Sequence, residues 1–104
     1  MKFIITESKL ENVIFEYLDN QDFVKIDDGK RIWLIKSIDE DYSTIFYSRV
    51  TNYCSVRKSF VVNLRTFFSI DTKNAFEIIS KWIEKTLDVK VENIDYGIVR
   101  YKPY

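Results

Sequence analysis

The sequence predicts a single α+β domain over residues 1–104. The expected form is a four- to five-stranded antiparallel sheet, with an N-terminal helix and two C-terminal helices packed on one face. Three observations predict it. Apolar residues recur at helical spacing near both ends of the chain, within 7–18 and 72–87. Between these stretches lie short runs rich in β-branched and aromatic residues, punctuated by turn-forming clusters. The composition, 46% apolar and 31% charged, is that of a globular chain able to bury one core without covalent staples.

The elements follow in order. Phe3-Ile4-Ile5 reads either as a first strand or as an apolar lead-in to a helix that Thr6 caps. Leu10, Val13, Ile14, Tyr17 and Leu18 then fall on one helical stripe, and Asp19-Asn20-Gln21-Asp22 ends the helix. Phe23–Ile26 and Arg31–Ile35 flank Asp27-Asp28-Gly29-Lys30, whose Asp-Gly pair suits a tight hairpin. After the turn Asp39-Glu40-Asp41, Thr44–Val50 and Tyr53–Lys58 read as two more strands, with Cys54 and Val56 on the apolar side. Phe60–Ser69 is open to two readings: a short helix capped by Ser59, with Phe60, Leu64, Phe67 and Phe68 inward and Asn63, Thr66 and Ser69 outward, or an alternating strand, which fits less well because it sets Thr66 on the apolar side with Phe60, Val62, Leu64 and Phe68. Asp71 caps helix 72–87, in which Phe76, Ile79, Trp82, Ile83 and Leu87 form the apolar stripe and Glu77 pairs with Lys81. Val89-Lys90-Val91 alternates, and Gly97–Lys102 gives a last strand that Pro103 ends.

Charge is balanced overall but unevenly placed. Residues 1–42 carry ten acids and six bases, whereas residues 43–70 carry no acid and four bases, Arg49, Arg57, Lys58 and Arg65. The same segment holds Tyr47 and Tyr53. Cations that track phosphates, interleaved with rings on which bases stack, are the ingredients of single-strand nucleic-acid binding. The competing reading is a buried hairpin whose few bases lie on its wet face. At the C-terminus, Tyr101, Lys102 and Tyr104 suggest a strand or tyrosine hook that pairs with another protein, against the plainer reading of a blunted edge strand. Trp33 and Trp82 are expected in the core.

Much chemistry is excluded by what the chain lacks. It contains no histidine, which removes Ser-His-Asp and Cys-His catalysis, and its one cysteine and no histidine cannot assemble a structural zinc site. Two glycines, Gly29 and Gly97, are too few and too far apart for a phosphate-cradling loop. Asp27 and Asp28 read as turn residues, and Asp39, Glu40 and Asp41 as a solvated turn, because Thr44 and Val50 stand where a calcium loop needs Gly and Glu. Cys54 reads as a buried, inert thiol. The expectation is a non-enzymatic protein without cofactor or metal. The short apolar N-terminus is no signal peptide and no run approaches a membrane span, so the expected location is cytoplasmic.

The opening Phe3-Ile4-Ile5-Thr6-Glu7-Ser8-Lys9-Leu10 resembles the start of small proteins of unassigned activity from tailed phages and marine viral metagenomes. Asp71–Val91, a Trp-bearing amphipathic helix with a Leu-Asp-Val exit, is similar to their C-terminal part. The resemblance implies a viral origin, in a virion or the host cytoplasm, and brings no functional residues. Usage rich in Ile, Lys, Asn, Phe and Tyr fits the A/T-rich gene expected of such a source. Together these readings favour an accessory protein that binds another protein or itself, with single-stranded nucleic-acid binding through Arg49, Arg57, Lys58, Arg65, Tyr47 and Tyr53 as the alternative.

Overall fold

The computed structural model describes residues 7–37 and 41–100. Its element order is α1 (Glu7–Asp19), β1 (Val24–Asp27), β2 (Arg31–Ile35), β3 (Ile45–Ser48), β4 (Tyr53–Val56), α2 (Lys58–Phe68), α3 (Thr72–Leu87) and β5 (Asn93–Tyr96). The five strands form one sheet in the order β1-β2-β3-β4-β5. The first three pairings are antiparallel and the last, β4 with β5, is parallel. The α+β layering expected from the sequence is therefore present, with one parallel strand at its edge.

Strand alternation divides the sheet into two faces. Ile32, Leu34, Ile45, Tyr47, Cys54 and Val56 point toward the helices. They form one core with Ile14 and Leu18 of α1, Phe60, Val61 and Leu64 of α2, and Ala75, Ile79, Trp82, Ile83 and Leu87 of α3. The indole N–H of Trp82 donates to Asp19 Oδ1 at 2.8 Å, so the large ring is buried with its polar atom satisfied. Trp33 is also buried, at 7% exposure, but not in that cluster. It stands on the sheet's other face, in register with Ile26 and Phe46, its ring 5.7 Å from that of Phe46.

Turn chemistry explains the hairpin. Gly29 has φ of 94°, the left-handed conformation that a β-carbon disfavours. The Asp27 and Asp28 carboxylates accept from the N–H groups of Gly29, Lys30 and Arg31 at 2.7–3.0 Å. Glycine is otherwise scarce, and among the described residues four non-glycine residues take the same region: Asp22, Asn52, Ser69 and Asp88. The last two terminate α2 and α3, each donating its N–H back to a carbonyl of the last turn. Asp71 caps α3 as expected, accepting from Asn74 N–H at 2.8 Å.

Several expectations need correction. Among the described residues the last strand is Asn93–Tyr96; the described part of the expected strand Gly97–Lys102 holds only a single bridge at Arg100, and Val89-Lys90-Val91 is not a strand. β4 leaves the sheet at Arg57 to enter α2. The chain after β5 steps into the place β4 vacates: Gly97 donates to Val56 O, Ser43 donates to Val99 O, and Arg100 bridges antiparallel to Tyr42. The N-cap of α2 is Arg57, without a side-chain capping bond, rather than Ser59. Lys81 reaches Glu11 of α1 at 3.3 Å rather than serving as partner to Glu77. Phe67 is 71% exposed, whereas Val61, which the sequence reading left off the inward face, is fully buried. The Thr6 cap, the Phe3-Ile4-Ile5 run, Asp39, Glu40 and the tail Tyr101, Lys102, Pro103 and Tyr104 lie outside the described residues.

Candidate functional site

The residues expected to bind nucleic acid do not converge. Tyr47 is 1% exposed, and its hydroxyl lies 2.5 Å from Lys90 O and 3.0 Å from Asn52 Oδ1. It is a buried strut between β3 and the approach to β5, with no ring face open to a base, and burial pushes its phenol above the usual range. Tyr53 is half-buried at the start of β4. Arg49 is committed to Asp27 through a two-pronged contact at 2.5 and 2.9 Å, which ties the β3–β4 turn to the β1–β2 turn. Arg57 follows the opposite end of β4 and donates to Tyr42 O at 3.0 Å. Four residues of strand, roughly 13 Å, separate the two ends. Lys58 lies 5.9 Å from the Tyr96 ring, and Arg65 flanks α2 with its Nε buried. Arg49 thus stands at one end of the sheet, paired with Asp27, whereas Arg57, Lys58 and Arg65 belong to the cap and body of α2 at the other.

Reactive groups are equally dispersed. The Cys54 thiol is fully buried and desolvation pushes it up to about 12, so it carries no thiolate at neutral pH. Among the described residues, no three His, Cys, Asp or Glu side chains are grouped to hold a metal ion, and no helix is long and apolar enough to cross a membrane. A groove of about 270 Å³ between α1 and α3 has an apolar floor of Leu10, Ile70 and Ile78, with the Glu11–Lys81 pair on its rim.

The outer surface of α2 is distinctive. Ser59, Val62, Asn63, Thr66 and Phe67 follow the i, i+3, i+4, i+7, i+8 spacing of one helical stripe, all are exposed, and none is charged. The exposed residues of α3 are instead dominated by charge, with Lys73, Glu77, Lys81 and Lys85. Phe67 ends the α2 stripe by stacking on Tyr17 of α1 at 5.6 Å, and Phe68 meets the same ring edge-on at 5.4 Å. One turn back on α1, Val13 is 49% exposed, and Val62 on α2 is 39% exposed. The stack of Tyr17 on Phe67 therefore bridges the two helices with exposed aromatic surface. Sequence reasoning missed it by placing Phe67 inward; the readable signal was the lack of any charge at 59, 62, 63 and 66, where a solvated helix normally carries several.

No family model, no curated protein and no solved structure matches the chain.

Proposed function

We propose that this chain is a non-enzymatic accessory protein that acts by binding another protein, through the uncharged outer stripe of α2 and the Tyr17–Phe67 stack beside it. One observation carries the reading: Phe67 keeps 71% of its surface in water on a helix face that has no charged residue to keep it solvated. An aromatic ring held by a second ring is a preformed anchor, because little side-chain freedom remains to be lost on binding. The viral resemblance supports two settings, a virion component or a factor directed at a host protein. The nucleic-acid alternative has less support, since Tyr47 is buried and Arg49 is already paired.

Matched affinity captures with the natural chain and Phe67→Asp as baits test this reading. Phe67 is exposed but stacks on Tyr17, so the substitution costs about 1–2 kcal/mol, a fall of several degrees in melting temperature that leaves the chain folded. The expected result is a partner retained by the natural chain and lost with Phe67→Asp. Identical captures by the two baits refute it.

A further inference from the structure

β1 is an edge of the sheet, and among the described residues no strand lies along its far side. Asp28 donates its N–H to Arg31 O across the hairpin. In the alternation of an antiparallel ladder, Ile26 therefore bonds inward to Trp33, while Lys25 and Asp27 turn their N–H and C=O groups away from β2. Two residues with outward main-chain groups thus flank one without, and their side chains carry opposite charges. We propose that this edge pairs with β1 of a second copy of the chain, antiparallel, about a two-fold axis through Ile26.

The charge pattern selects that register. With the axis at Ile26, Lys25 of each copy stands directly opposite Asp27 of the other, and the outward groups of both residues close four main-chain hydrogen bonds. An axis at Lys25 sets lysine against lysine, and an axis at Asp27 sets carboxylate against carboxylate. An axis between residues sets an outward residue against an inward one and makes no ladder. Arg49 holds the Asp27 carboxylate in a fixed position, so the second copy's lysine meets an ordered oxygen whose charge Arg49 already shares. On the other face the two Ile26 side chains meet and extend the apolar row of Ile26, Trp33 and Phe46 across the join. Four residues a side make a small contact, so the association is weak and its midpoint falls at roughly 100 µM or above.

A mid-edge lysine has an ordinary alternative role, as a guard against strand pairing. The two roles predict opposite results. Sedimentation velocity on the purified chain from about 5 to about 500 µM, at about 50 mM salt, measures the association. Amide exchange read at the same concentrations locates it. Pairing at β1 predicts a dimer whose population rises with concentration. The Lys25 and Asp27 amides slow as it forms, and that of Ile26, already bonded to β2, does not change. Lys25→Glu weakens the dimer about tenfold or more, and Lys25→Ala weakens it about three-fold. Both substitutions are at an exposed position and leave the fold intact. Phe67→Asp leaves the dimer unchanged, which separates this contact from the α2 surface. A chain that stays monomeric at the highest concentration overturns the proposal. So does a dimer in which the Lys25 and Asp27 amides exchange as fast as in the monomer, or a Lys25→Ala chain that associates more strongly.

Discussion

Replacing Tyr47 by Phe removes one oxygen and leaves the ring in place. That oxygen is enclosed: the residue is 1% exposed, and its hydroxyl lies between Lys90 O and Asn52 Oδ1. A hydroxyl donates one proton, so one acceptor loses its bond and water cannot enter to replace it. A buried acceptor left unsatisfied costs about 1–2 kcal/mol. Unfolding entropy of about 2.1 cal/mol/K per residue over 104 residues gives about 0.22 kcal/mol/K, so the expected fall in Tm is about 5–9 °C. Differential scanning calorimetry measures it, and urea titration should show a lower midpoint at unchanged slope. The loss should appear first near β5, because Lys90 leads into that strand, and the amides of residues 93–96 should exchange faster than those of β2. A Tm within about 2 °C of the natural chain would refute the account of Tyr47 as a strut and reopen its ring as a binding element.

Three other outcomes are expected. Gly97→Ala brings a β-carbon to 2.9 Å from Ser55 Oγ and 3.0 Å from Ser55 Cβ, a collision costing about 1–3 kcal/mol in urea unfolding. Ser55→Gly in the same chain should recover part of that loss, giving a favourable coupling in a double-mutant cycle. Asp88→Gly relieves a left-handed residue at the end of α3 and should raise stability by about 0.5–1 kcal/mol in calorimetry, because φ of 54° suits glycine. The Arg49 guanidinium, with Gly29 N–H, holds the Asp27 carboxyl down at about 2 from its usual 3.8. A depressed folded value contributes stability above the unfolded value, lost as pH falls from about 3.8 toward 2; unfolding titrations should show a shallower acid limb for Asp27→Asn across that window.

Helices and hairpins were legible because their signals are local. The stripe Leu10, Ile14, Leu18 and the Asp71 cap specify their helices without help from the rest of the chain, and Asp28-Gly29 specifies its turn. β5 was not legible for the converse reason. Asn93 and Asp95 are poor strand formers, whereas Ile98-Val99 just beyond them are good ones, so propensity pointed a few residues too late. What makes Asn93–Tyr96 a strand is the edge of β4 lying alongside it, a tertiary fact. Lys81 illustrates the same limit: its i, i−4 partner was visible in the sequence, but Glu11 on α1 was not. Of the bases adjacent in sequence, Arg49 lies at the opposite end of β4 from Arg57, which caps the helix that carries Lys58 and Arg65, a separation that only the folded sheet reveals. The α2 patch depends on a ring from α1 that no local window includes.

The parallel pairing of β4 with β5 has a consequence for how the chain is made. The hairpins β1–β2, β2–β3 and β3–β4 can each close as soon as their turns form, but β5 reaches β4 only after both α2 and α3 have been synthesised. Until then the outer rim of β4 is an open template for foreign strands, and the ladder that covers it carries the largest loop-closure cost of the four strand pairings. Closure of the β4–β5 pairing thus comes after all three hairpins in biosynthesis. Chains shortened before Asn93 should be trapped by chaperones or aggregate rather than accumulate as a four-stranded remnant.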